Sequence, residues 1–237
     1  EYAEIVYYCF CRNLIMQIVK HIYRPQRLLK PVRSFCFIII LFSVISGRAQ
    51  NTISKIIDVD AIDSIEINGN QIFNISVKTY EVDTIKIVST LDGEFQNEFQ
   101  VVDKIEGKVL FLKLEHQSFS EIADDKRNAH KVIAATLQLE IPEHSSVIIK
   151  SDVGSINAMG NFEDLLIESL QGFCKVNGTA KNAVINTING NITVSTTNAN
   201  VKASSNNGNV EIDKFESPQS QWQLKSTNGD ITVEKQE

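Results

Sequence analysis

From Ile148 to Val233 the chain alternates apolar and polar residues with a step that recurs. Each unit has a Ser or Thr, then a turn with glycine, then two apolar residues one position apart. The members are Ser151, Gly154, Ile156 and Ala158, then Ser169, Gly172, Cys174 and Val176. Next come Thr187, Gly190, Ile192 and Val194, then Ser205, Gly208, Val210 and Ile212. Ser226, Gly229, Ile231 and Val233 complete the set, and the glycine numbers advance by 18, 18, 18 and 21. Two residues before each hydroxyl stands Ile149, Ile167, Ile185, Ala203 or Leu224. Alternation with a period of two is the signature of a strand. A fixed step near 20 residues points to stacked coils, each too small to bury its own apolar face.

The expected fold is therefore all-β: a parallel β-solenoid of about 18-residue coils over 146–237, behind a strand-rich part at 50–145. A stack of antiparallel hairpins closed by Asn-Gly turns is the other arrangement that fits these turns. The structural repeat turns are Gly154, Gly172, Gly190, Gly208 and Gly229, preceded in three units by Asn189, Asn207 and Asn228. Asn-Gly tolerates positive φ, so a sharp corner forms without strain. The Ser/Thr column can bond back to nearby backbone and fix that corner. The longer last step falls at 215–222, where Pro218 marks a surface loop. Trp222, the single tryptophan, is read as a cap on the open end of the stack, with a binding-site aromatic as the other reading.

The strand-rich part has alternating runs at 64–67, 73–77, 84–88, 108–115 and 132–141. Asn68, Gly69 and Asn70 read as a hairpin turn between the first two. Residues 116–131 are polar and read as a loop, and 161–166 is the one candidate for a helical turn.

Charge separates the leading residues from the rest. Of 23 Lys and Arg, seven lie in 1–49, against two of the 29 Asp and Glu; residues 50–237 thus hold 16 basic and 27 acidic residues, a net −11. That balance, without a basic cluster, excludes a nucleic-acid binder and an anionic-surface binder. Residues 1–34 read as an extended or misassigned start, with Met16 the first available initiator. Arg24, Arg27, Lys30 and Arg33 precede the apolar run 35–45, and Gly47, Arg48 and Ala49 have the small-x-small form before Gln50. Residues 35–49 thus read as the apolar stretch and cleavage site of an export signal. Export predicts a periplasmic or cell-surface location, with no integral membrane domain after cleavage. An uncleaved anchor is the alternative. Cys9, Cys11 and Cys36 fall in the leading part, and Cys174 occupies a core position held by Ile or Val in other units. It reads as a small buried hydrophobe.

The order of elements resembles the bacterial "putative adhesin" β-strand-repeat family of unknown function, close to the adhesin head domains called GIN domains. The residues that carry the likeness are 137–142, 147–151 and the repeated Ser/Thr-x-Asn-Gly-Asn/Asp-Ile/Val-x-Val, within about 65–233. Val153 and Gln171 depart from it where Asn is expected, as does Cys174. The resemblance implies an extracytoplasmic β-solenoid and carries over no ligand site.

No catalytic grouping, metal site or cofactor is expected. Asp152, Glu211, Asp213 and Asp230 fall in different columns or units, and only Glu211 and Asp213 share a strand face. Glycoside hydrolysis needs two carboxylates at a set separation. Asp124 with Asp125 lacks the spacing of a calcium loop, and His116 with His130 lacks further ligands. The outward positions Asn157, Lys175, Thr193, Glu211 and Thr232 form the candidate binding face. The function expected is a non-catalytic, extracytoplasmic binding or envelope scaffold module, with a glycan or envelope protein as partner. The alternatives are an envelope-stress or signalling accessory and a β-helix carbohydrate-active enzyme.

Overall fold

The structure is a computed structural model that describes residues 51–59, 62–93, 98–117 and 134–236. They belong to the compact unit Ala49–Glu237. The leader, its three cysteines, Asp124, Asp125, His130 and most of the 116–131 loop lie outside the described residues.

Among the described residues the regular structure is all strand. The lead-in supplies β1 (Asn51–Asp58), β2 (Ser64–Asn68), β3 (Ile72–Tyr80), β4 (Thr84–Asp92), β5 (Phe99–Glu106), β6 (Val109–His116) and β7 (Ala134–Pro142). The repeats supply β8 (Ser145–Ser151), β9 (Ser155–Gln171), β10 (Cys174–Asn189), β11 (Ile192–Thr196), β12 (Ala199–Ser205), β13 (Val210–Ile212), β14 (Ser220–Ser226) and β15 (Ile231–Lys235). They form one large mixed sheet, whose longest path runs β1-β4-β7-β3-β9-β10-β11-β15-β13 and which is not closed.

Antiparallel pairing is confined to the lead-in, where β4 lies between β1 and β7 and β5 pairs β6. Every described ladder from β8 to β15 is parallel, not the antiparallel pairing of stacked hairpins. Cys174 lies beside Ile156 on one side and Ile192 on the other, one 18-residue step each way. The register carries like residues onto like. Ile149, Ile167, Ile185, Leu224 and Ala203 make one continuous column into the core. Ile75, Ile156, Cys174, Ile192 and Ile231 make a second, which ends at the edge on Val210, 39% exposed. Each fully buried Ile or Val in these columns contributes roughly 1.5–3 kcal/mol of burial before entropy is subtracted.

The order of the columns differs from the order of the sequence. The last repeat does not stack on the outside of 199–212. β14 pairs β10 on one edge and β12 on the other, and β15 lies between β11 and β13. The chain therefore steps over one strand position at 197–198, builds β12 and β13, and comes back through 213–219 to fill the gap. The step of 18 between Gly190 and Gly208 is real in the sequence but is not a contact in space. The 21-residue step is a contact, because Gly229 lies against both.

Three further expectations are corrected. Asn68 and Gly69 do not close a hairpin: β2 pairs β6 and β8, whereas β3 pairs β7 and β9. Gly69 N donates to Lys150 O at 2.6 Å, so the turn is a corner stitched to a segment far along the chain. Residues 161–166 are strand, inside β9. The long strands β9 and β10 turn at Gly160 (φ 112) and Gly178 (φ 143), and a Cβ on Gly178 would collide with the Gly160 carbonyl. Glycine allows the bend and the close approach together. Asn161 then serves the corner: its Nδ2 donates to Glu143 Oε1 at 2.7 Å, and its Oδ1 accepts from Thr179 Oγ1 at 2.8 Å. Trp222 caps nothing. It is 2% exposed in β14, between Ala183 and Val201, with Nε1 donating to Ser220 Oγ at 3.1 Å. The aromatic that packs on the core from loop 213–219 is Phe215.

Candidate functional site

The repeat corner is built from backbone-directed hydroxyls. Ser151 Oγ donates to Val153 O at 3.0 Å, Ser169 Oγ to Gln171 O at 3.1 Å, and Thr187 Oγ1 to Gly190 O at 2.8 Å. Ser205 Oγ donates to Gly229 O at 2.7 Å and Ser226 Oγ to Gly190 O at 3.2 Å, so the last two hydroxyls also bridge neighbouring turns. The glycine column runs Gly154, Gly172, Gly190, Gly229, Gly208, and a Cβ on each of the last four would strike the carbonyl of the glycine before it. Positive φ is used at Gly154 and Gly172; at Gly190, Gly229 and Gly208 the requirement is close approach. Asn207 Nδ2 donates to Asn228 Oδ1 at 2.6 Å, and Asn228 Nδ2 to Asn189 Oδ1 at 2.7 Å. The turn residues are thus placed as a ladder with Asn228 in its middle.

With the corner fixed, the strand after it presents a regular outward row. Asn157, Lys175, Thr193, Thr232 and Glu211 are successive partners across four parallel ladders. The sequence order Glu211 then Thr232 is reversed in space by the insertion. Ser76 and Gln138 continue the row beyond Asn157. Seven side chains at one strand spacing each make a stripe of roughly 29 Å. It offers amide, hydroxyl, ammonium and carboxylate groups, with Lys175 and Glu211 exposed and about three spacings, or ~14 Å, apart. That separation leaves each free of the other.

Three of the four acids considered for catalysis accept from backbone amides. Asp152 Oδ1 accepts from Val153 N at 2.7 Å and from Gln71 N at 2.9 Å. Asp230 Oδ1 accepts from Asn209 N at 2.8 Å, and Asp213 Oδ2 from Lys235 N at 2.9 Å. Glu211 shares its strand end with Asp213, whose carboxylate is already engaged. His116 lies 3.3 Å from Glu98 and edge-on to the Phe99 ring. Among the described residues, no three His, Cys, Asp or Glu side chains converge as a metal would need. Cys174 is buried, and desolvation pushes its thiol up to about 12. It stays a neutral core residue, as its column position predicts.

One feature escaped the sequence reading. A shallow groove of about 420 Å³ lies on the outside of the corner, lined among others by Lys150, Asp152, Glu168, Leu170 and Ile188. Leu170 and Ile188 are 51% and 44% exposed. The available signal was a break in alternation, because both apolar residues stand directly after an inward hydroxyl, where a polar residue is expected.

No protein-family model matches this chain, and no curated protein matches it. Solved structures do. A "putative cell adhesion protein" from Clostridium sporogenes ATCC 15579 is 15% identical with a TM-score of 0.57, over 79% of this chain and 100% of that one. A "putative adhesin" from Bacteroides fragilis NCTC 9343 is also 15% identical, with a TM-score of 0.33 over 78% and 98%. A "putative lipid binding protein" from Parabacteroides distasonis ATCC 8503 is 14% identical, with a TM-score of 0.27 over 79% and 98%. At such identity the first match defines a shared fold: an all-β, strand-repeat architecture also found in a bacterial protein assigned to cell adhesion. No helix among the described residues is long and apolar enough to cross a membrane.

Proposed function

We propose that the chain is a non-catalytic β-solenoid module of the cell envelope, exported by its leader, that binds a glycan or envelope protein along its outward stripe. The observation that carries this reading is the stripe itself. Asn157, Lys175, Thr193, Thr232 and Glu211 stand in unbroken register on parallel ladders. A row of donors and acceptors at one strand spacing suits an extended polymer, which meets a polar group at each step. The solenoid winding is supported by the recurring 18-residue parallel register and by a hydroxyl at each corner that donates to a turn carbonyl. The fold shared with the Clostridium protein agrees with a binding role, and periplasm or cell surface agrees with the leader.

The test is a glycan and envelope-component array probed with purified, leader-free protein, with and without Ca²⁺. A specific signal that falls at least tenfold in Lys175→Ala or Glu211→Ala, with the circular dichroism unchanged, supports the stripe. A blank from folded protein removes the binding reading and favours an envelope-stress or signalling accessory. Hydrolysis of an arrayed glycan, lost in Glu211→Gln, would favour a carbohydrate-active enzyme instead.

A further inference from the structure

We propose that the space between segments 174–196 and 199–212 is a strand-acceptor site, filled within one copy by its own Ser220–Lys235 and open to the same segment of a second copy. The inserted segment is held on both edges by backbone. On one side Thr227 N donates to Thr187 O at 3.1 Å and Asn228 N to Ile188 O at 2.8 Å. On the other, Asn207 N donates to Thr227 O at 3.0 Å and Asp213 N to Val233 O at 2.9 Å. A segment that supplies a strand to two unpaired edges is a ligand in the manner of strand addition.

The site is selective. Trp222, Leu224, Ile231 and Val233 from the insert are all buried. Gly229 must lie flat on Gly190, and Asn228 must bridge Asn189 and Asn207. A foreign strand lacking this spacing meets a clash at the glycine and leaves the tryptophan position empty.

The two walls also match each other. Thr187 and Ser205, Asn189 and Asn207, Gly190 and Gly208, Ile192 and Val210 are each one 18-residue step apart. When the insert leaves, the walls can pair directly in the register that the other repeats use. The vacated state therefore covers its core, which lowers the barrier to exchange. The tether has the form of a hinge. Asn198, at φ 50 where the chain steps over the gap, accepts from Gln219 N at 2.6 Å, and Pro218 precedes that contact. Opening at this contact directs the same seven-residue connection, 213–219, either back into its own stack or across to a neighbour. Exchange of an identical element is a low-cost route to a dimer, and shortening the hinge forces it.

The experiment uses the full chain. Deleting 216–218 leaves a connection too short to return from β13 to β14, so the insert is expected to enter a second copy. Light scattering should then give twice the monomer mass with unchanged strand content. A folded monomer of this variant that still crosslinks Thr193→Cys to Thr232→Cys keeps the insert in its own stack and overturns the proposal. Should the variant not fold, or fold as a monomer with the two walls paired directly, a fluorescent peptide of residues 214–237 decides. Mixed with the full chain at its denaturation midpoint and diluted, it should co-elute with the protein. The same peptide carrying Gly229→Val should co-elute at least tenfold less. No co-elution of the unmodified peptide, or equal co-elution of both, overturns the proposal.

Discussion

Asn228 donates from Nδ2 to Asn189 Oδ1 at 2.7 Å, across 39 positions of sequence. The nearer repeat, Asn207, is reached only through Asn228. This pair of bonds follows the spatial order of the final repeats, which is also the order of side chains on the outward stripe.

The bond predicts a coupling that sequence proximity would not. In a double-mutant cycle, Asn189→Ala and Asn228→Ala should couple by about 0.5–1 kcal/mol, the usual range for one side-chain hydrogen bond. Asn189→Ala and Asn207→Ala, two strand spacings apart and joined only through Asn228, should couple less strongly than that pair. Denaturant midpoints of the four variants and the wild type give both numbers. The opposite ranking would place 199–212 directly against 181–194.

The glycine column predicts a site-specific intolerance. Gly172 has φ 109, and a Cβ there would meet the Gly154 carbonyl. Gly172→Ala should cost about 2–3 kcal/mol, from an unfavourable backbone region and displaced neighbouring backbone together. For a chain of this size that is a fall in Tm of roughly 4–12 °C, measurable by calorimetry. Gly107, with nothing near its Cβ direction, should be limited to the strain of its φ of 60 and lose less.

Burial of Cys174 predicts a pH dependence on the alkaline side. Its thiol is raised from 9.0 to about 12 in the folded chain, because desolvation disfavours the thiolate. Well below pH 9 it is neutral folded or unfolded and contributes no slope. Between about 9 and 12 the unfolded state releases its proton and the folded state keeps it, so stability falls as pH rises, by up to about 1.4 kcal/mol per pH unit. Cys174→Val, matching the aliphatic neighbours Ile156 and Ile192, should remove that slope. Native protein at pH 8 should also leave Cys174 unmodified by a thiol reagent until denaturant is added.

Much of this was legible in residues and some was not. The hydroxyl-glycine-aliphatic step located β8 through β15 because each column obeys a local rule: apolar inward, hydroxyl at the corner, glycine where backbones touch. The order of the last two repeats was not legible. Ser205 and Ser226, Asn207 and Asn228, Gly208 and Gly229 are the same types, so both orders satisfy every column. Trp222 is where the two orders differ most in burial: it stands inside the stack, between Ala183 and Val201, and is 2% exposed. The lead-in was read as strands, yet its partners were hidden. Ser151 Oγ donates to Gly69 O across 82 residues, and no repeat step announces that distance. The same holds for Ile67 against Ile149. Asn161 read as the start of a helical turn because nothing local marks it as one rung of a corner ladder with Glu143 and Thr179. The stripe was found as single outward positions; its true sequence, with Thr232 between Thr193 and Glu211, needed the insertion.

A disulfide test on that stripe reaches the central claim most directly, since it reads the order of the strands at the proposed binding face. Adjacent strands place Cα atoms about 4.8 Å apart, within disulfide range, and next-but-one strands about 9.6 Å apart, outside it. Thr193→Cys with Thr232→Cys should therefore oxidise to a crosslink that peptide mass mapping identifies, whereas Thr193→Cys with Glu211→Cys should stay reduced. Crosslinking of Thr193→Cys to Glu211→Cys, with Thr232→Cys left free, would contradict the inserted repeat and the stripe built on it.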